Sequence, residues 1–264
     1  MPDDSQAALV CRDLTVAVPG RCLVRSLELA LAPGTFLAIL GQNGAGKSLS
    51  LHTLAGLRPP SAGHVGLFGA DLESLSRREI ARQLALLPQH ADDAFPATVF
   101  DTALAGRHPH VPRWQWESAA DRRIALDCLA RMDLQALLDR DVGTLSGGER
   151  RRVAIAQVLA QSTPVCLLDE PTNHLDPQHQ LDVLDVFAAR ARAGATVVAS
   201  LHDVNLAARY ADECLLLFGD GRWLRGDTAS VLNAAALSDL YATPMEAVAW
   251  RDRWLFVAAP TARH

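Results

Sequence analysis

At 264 residues, with 49% hydrophobic and 21% charged side chains, the chain has the make-up of a globular protein able to bury a sizeable core. Its net charge of −5 argues against a general nucleic-acid binder, and no apolar run approaches the roughly 18 residues of a membrane-spanning helix. Five cysteines at 11, 22, 128, 166 and 214 show no ligand spacing and read as reduced thiols, while Met1–Gln6 carries acids where a secretory signal has bases, so a cytoplasmic chain is expected.

In chain order, 9–18 and 27–31 alternate apolar and polar residues, as half-buried antiparallel strands do. The apolar run Phe36-Leu37-Ala38-Ile39-Leu40 predicts a buried strand, and 49–55 a helix. Between them, Gly41-Gln42-Asn43-Gly44-Ala45-Gly46-Lys47-Ser48 fits G-x-x-x-x-G-K-[ST] in the strand–loop–helix setting that phosphate binding needs. Glycines let backbone N–H groups wrap phosphates, and the helix turns the positive end of its dipole toward them. Lys47 would reach the β- and γ-phosphates and the Ser48 hydroxyl would ligate Mg²⁺, with residues 41–48 and Leu49 as candidate nucleotide contacts.

A turn at 58–63 precedes short strands at 64–68 and 84–87, which flank a helix at 76–83. After Gln89 the chain turns to acids, prolines and helices; within 117–132, Ile124, Cys128, Leu129 and Met132 share one helical face. Leu145-Ser146-Gly147-Gly148-Glu149 opens a helical pattern running to Gln161. Ser146 and Glu149 make a capping box, but two consecutive glycines weaken a helix start and suit a second anion site at exposed N–H groups. The run Arg150-Arg151-Arg152 reads as a solvated helix face.

Val165-Cys166-Leu167-Leu168-Asp169-Glu170 reads as a buried parallel strand delivering two acids at the edge where open α/β sheets bind ligands. Asp169 is placed to hold Mg²⁺ through water and Glu170 to polarise an attacking water, although an acid pair here would also serve a helix N-terminus. Residues 196–200 and 214–218 return to the sheet, and 243–258 forms a two-strand appendage around Asp252-Arg253.

Taken in order, the phosphate loop, Leu-Ser-Gly-Gly-Glu and Leu-Leu-Asp-Glu-Pro resemble the ATPase subunits of ABC transporters. Gln89 is similar to that family's Q-loop glutamine, Asn173-His174-Leu175-Asp176 to its D-loop and His202 to its switch histidine. The resemblance implies an α/β fold: a P-loop NTPase core of mixed sheet flanked by helices, with an N-terminal antiparallel β portion and an inserted helical lobe. One domain would span 1–264, with the lobe at 90–160 and a β appendage at 243–260. It also implies two copies, with ATP held between one phosphate loop and the other copy's Ser146, Gly147, Gly148 and Glu149. Glu170 would orient the water, His202 the γ-phosphate, and Gln89 would sense Mg²⁺ and pass closure to the lobe.

The segment 105–110 and the ending 237–241 are similar to importers of iron-siderophores, haem and cobalamin. Partners implied are polytopic permease subunits, with an external binding protein beyond them, at the cytoplasmic face of the inner membrane; no nucleic acid is expected. The alternatives are an exporter subunit or a soluble ABC ATPase working on nucleic acid or ribosomes, but no heptad or paired-cysteine insertion separates Lys47 from Ser146. Trp114 and Trp116 either face a permease or cover the lobe's own core. His108 and His110, across a proline, make a poor metal site. Two departures stand out: residues 1–35 hold no aromatic to stack on adenine, Val18 standing there with Arg21 nearby, and Leu49 replaces a common threonine.

Overall fold

The computed structural model describes residues 7–89, 96–251 and 253–259. Strands β1 (Leu9–Val18) and β2 (Arg21–Leu31) form an antiparallel pair, joined by β4 (Ala62–Leu67) and β5 (Ala70–Asp71) in the order β2-β1-β4-β5. On β1, Leu9, Cys11, Leu14 and Val16 point inward and are fully buried. The expectation for β2 began six residues late. Register shifts against β1 and a left-handed Ser26 (φ 49°) interrupt the alternation that sequence reading depends on.

The second sheet has the order β10-β9-β3-β8-β7-β6. Strands β3 (Phe36–Leu40), β6 (Leu84–Leu87), β7 (Val165–Asp169), β8 (Thr196–Ser200) and β9 (Glu213–Leu217) run parallel, and β10 (Trp223–Asp227) is antiparallel to β9. Both faces of β3 are covered, and the period of two divides its side chains between two cores. Leu37 and Ile39 pack with β1, β2 and helix α1 (Lys47–Leu54), whereas Phe36, Ala38 and Leu40 pack with helices α5 (Gly147–Gln161) and α6 (Pro177–Arg192). Helix α2 (Arg77–Gln83) leads into β6.

Helices α3 (Val99–Ala105) and α4 (Ala119–Arg131) pack on α5 through Ala103, Leu104, Ala125, Leu129 and Val153. Buried Arg107 ties the three together, its Nε on Asp121 Oδ1 at 2.9 Å and its Nη1 donating to Ala160 O at 2.8 Å. Helix α7 (Val204–Tyr210) starts just after β8 ends, followed by α8 (Thr228–Val231) and α9 (Ala234–Tyr241). The chain then makes a hairpin of β11 (Met245–Trp250) and β12 (Arg253–Ala258). Phe256 of β12 is buried, and Asn205 holds both its N–H (2.8 Å) and its carbonyl (3.2 Å). Residues 90–95, 252 and 260, part of the expected lobe and appendage, and residues 1–6, read above for a secretory signal, lie outside the described residues. Among the described residues no helix is long and apolar enough to cross a membrane.

Candidate active site

The loop from Gly41 to Gly46 turns β3 into α1, and Gly46 caps that helix with a left-handed backbone (φ 104°) that a Cβ would strain. Gly41 passes so close to β9 that a Cβ there would stand 2.6 Å from the carbonyl oxygen of Leu217. Lys47 is 5% exposed; its Nζ donates to Gly41 O at 2.8 Å and Gln42 O at 3.3 Å. Burial lowers the Lys47 pKa, opposed by the negative charges of Glu170 and Asp169. A cleft of about 230 Å³ is lined by Asn43, Gly44, Gly46, Lys47, Ser48 and Leu49 together with Leu23, Gln89 and Glu170. Gln42 and Ala45 have other work: Gln42 Nε2 donates to Leu240 O at 3.0 Å, and Ala45 is buried.

Asp169 ends β7 completely buried, and Glu170 follows it in the left-handed region (φ 49°), a conformation costing a non-glycine residue about 1–2 kcal/mol. The Ser200 hydroxyl serves both acids: it donates to Asp169 Oδ1 (2.7 Å) and accepts from the Glu170 N–H (2.8 Å). Three side chains converge on the Glu170 carboxylate. Gln89 Nε2 donates to Oε2 at 2.8 Å, Asn173 Nδ2 donates to the same oxygen, and His202 Nε2 lies 2.6 Å from Oε1. Three elements read separately from the sequence therefore meet on one carboxylate. Asn173 was recognised only as part of a loop; its asparagine amide three residues after the acid was the available sign.

The reading of 150–152 as a solvated face needs correction at its centre. Arg150 is exposed, but Arg151 is 7% exposed and Arg152 Nη1 donates to Met132 O at 2.6 Å. Arg151 stands on the same helix face as buried Ile155 and Val158, four and seven residues on, so it is carried under α5 and not into solvent. Trp114 (100% exposed) and Trp116 (91% exposed) cover no core. His108 Nε2 pairs with Glu117 Oε1 at 3.2 Å while His110 Nε2 lies 2.8 Å from Gln161 O, so the two rings have separate partners.

Ser146, Gly147, Gly148 and Glu149 do not line the phosphate-loop cleft. They start α5 with a complete capping box: Ser146 N donates to Glu149 Oε2 at 2.8 Å, Ser146 Oγ donates to the same oxygen at 2.7 Å and accepts from Glu149 N. Ser146 and Gly147 are exposed, which leaves the helix start open to a second molecule. On the base side, Val18 is half-buried and Arg21 Nε donates to Gly219 O at 2.9 Å.

The residues suit a divalent cation. Asp169 Oδ2 is buried without a hydrogen-bond partner, an orphaned carboxylate oxygen beside a cleft lined by Ser48 and Gln89. Oxygen donors of this kind match Mg²⁺ chemistry.

The sequence model of the family described as ABC transporter matches residues 24–173. The hemin import ATP-binding protein HmuV of Burkholderia ambifaria is 40% identical over 263 residues, covering 92% of this chain and 96% of its own length. The achromobactin transport ATP-binding protein CbrD of Dickeya dadantii is 37% identical over 235 residues, covering 89% and 87%. Among solved structures, an inward-facing ABC transporter assigned to the metal-chelate type superposes with a TM-score of 0.82 at 28% identity, over 97% of this chain and 98% of that one. Phosphate loop, acid pair, glutamine and histidine thus come together in a fold that those proteins share, and the chain belongs to the ABC transporter family as an ATPase subunit.

Proposed function

We propose that this chain hydrolyses ATP to drive import of a metal chelate of the iron-siderophore, haem or cobalamin type. The observation that carries the hydrolytic part is the convergence of Gln89, Asn173 and His202 on Glu170 at the rim of the Lys47 cleft. The import part rests on similarity to hemin and achromobactin transport proteins. Gly41, Gln42, Asn43, Gly44, Ala45, Gly46 and Leu49 shape the cradle, and Lys47 neutralises phosphate charge. Glu170 orients the attacking water for in-line displacement at the γ-phosphate and accepts proton density from it, while His202 and Gln89 hold Glu170 and the phosphate in register. Mg²⁺, when bound with the nucleotide, would be held by Ser48, Asp169 and Gln89 and would offset charge on the phosphates.

A second copy supplies Ser146, Gly147, Gly148 and Glu149, whose exposed helix start offers N–H groups to the partner's triphosphate. In this reading residues 1–264 act as one unit, with a lobe at 90–160 and an appendage at 243–260. The unit sits peripherally on the cytoplasmic face of the inner membrane against polytopic permease subunits, with an external binding protein acting through them. Exposed Trp114 and Trp116 suit the permease contact, since tryptophan is enriched at interfaces. Purification of Glu170→Gln from native membranes with ATP and Mg²⁺ tests the whole. Recovery of a polytopic membrane protein supports transport, whereas ribosomes or DNA-associated proteins without one overturn it.

A further inference from the structure

Arg151 is the least expected side chain around the site. Among the described residues its guanidinium makes no carboxylate pair, and its partners are backbone carbonyls. Nη1 donates to Pro88 O at 2.6 Å and Gln89 O at 3.3 Å, while Nη2 donates to Asp169 O and, at 2.8 Å, to Glu170 O. One planar fork therefore grips the C-terminal ends of two neighbouring parallel strands, β6 and β7, from inside α5. Two of the four gripped residues, Gln89 and Glu170, are joined by their own side chains.

Glu170 needs such a grip. Its left-handed backbone is unfavourable, and it is held at both ends: Ser200 Oγ accepts its N–H, while Arg151 and the Asn173 N–H (3.2 Å) share its carbonyl. Turning that peptide plane would swing the carboxylate away from Gln89 and His202. Burying an arginine against carbonyls is costly unless the geometry is satisfied, and here its Nε still lacks a partner. Arg190 offers a contrast at the opposite end of β7: its Nη2 donates to Thr163 O at 2.6 Å, also with an unpartnered Nε, but far from any site residue in sequence and strand position.

We infer that Arg151 is a positioning residue for ATP hydrolysis, fixing the peptide of Glu170 and the backbone of Gln89 so that their side chains meet in the reactive arrangement. The inference rests on the assignment of Glu170 made above. It also makes α5, whose first turn carries Ser146 and Gly147, rigid with the ends of β6 and β7.

The test is a double-mutant cycle in single-turnover ATP hydrolysis on the full chain, with nucleotide affinity measured in parallel. Arg151→Met is expected to lower the rate constant about 10²-fold, the usual worth of a positioned proton-transfer group, with ATP affinity nearly unchanged. Arg151→Lys should recover only part of the rate, because an ammonium cannot reproduce the planar fork. Arg190→Met should leave the rate near wild type. Because Arg151 acts through Glu170, adding Arg151→Met to Glu170→Gln should cost little more. A normal rate in Arg151→Met, an equal fall in Arg190→Met, or a full multiplicative loss in the double variant overturns the inference. If Arg151→Met fails to fold, the same cycle is run with Arg151→Lys. Normal hydrolysis by Glu170→Gln would instead overturn the assignment of Glu170 itself.

Discussion

Glu170→Gln separates chemistry from stability at one atom pair. Glu170 Oε2 receives the amide donors of Gln89 and Asn173, and Oε1 faces His202 Nε2. A glutamine amide fits this asymmetry when its carbonyl takes the Oε2 place and its NH₂ faces His202. The ring then accepts at Nε2 and carries its proton on Nδ1. Every donor keeps an acceptor, so stability should change by less than about 1 kcal/mol. Glu170→Ala instead strands two amide donors, at about 1–3 kcal/mol each where burial keeps water away. Catalysis should respond otherwise, because an amide cannot take proton density from water. The expected loss of about 10²–10⁴ in rate corresponds to about 2.7–5.4 kcal/mol of barrier. Single-turnover hydrolysis at saturating ATP reads the rate loss, and urea denaturation the stability change. Hydrolysis within about tenfold of wild type, or a Gln variant as destabilised as the Ala variant, would refute the reasoning.

Gly41→Ala forces a Cβ to 2.6 Å from a strand carbonyl that cannot swing aside; about 1–3 kcal/mol of stability and much of the ATP affinity should be lost, checked by denaturation and calorimetry. Asp121 is held down to about 2 by Ser118 and then Arg107; because the folded value lies below the ordinary 3.8, its contribution is complete above that value and lost as pH falls through about 2. Asp121→Asn should therefore be less stable than wild type near neutrality, with the gap in urea midpoints closing toward pH 2; a gap that persists there counts against the pairing. With no aromatic in residues 1–35 and Arg21 engaged by Gly219, a stacking contribution of about 1–3 kcal/mol is missing for either base; with neither the stack nor Arg21 to hold the base in one orientation, GTP should compete with ATP within about tenfold. A strong ATP preference in competition binding would show that another group reads the base.

The parts legible in the sequence were those whose period or chemistry is local. Strands β1, β3, β6 and β8 fall where alternation or an unbroken apolar run placed them, and α5 follows directly from Ser146 and Glu149 as its cap. The short β5 and the antiparallel edge β10 were not foreseen, because two to five residues of half-exposed chain carry no distinct pattern. At the site, motif residues were readable but their meeting was not. That Gln89, Asn173 and His202 bond one oxygen pair depends on the order of β6, β7 and β8 in the sheet, which nothing local encodes. Arg151 was misread for the same reason: three like charges in a row suggest solvent, and only the strand ends stacked beneath α5 show what the middle one holds.

In the proposed pairing, the capping box at Ser146 makes the start of α5 a competitor for the arriving phosphate and not a passive cradle. The hydroxyl proton of Ser146 already rests on Glu149, whose carboxyl is held below its usual range chiefly by that bond. A phosphate arriving from the other copy would compete with Glu149 for the hydrogen bond that the Ser146 hydroxyl donates, and its charge would strengthen its side of that exchange. In the proposed pairing, helix α5 would thus favour the more highly charged nucleotide before any chemistry begins.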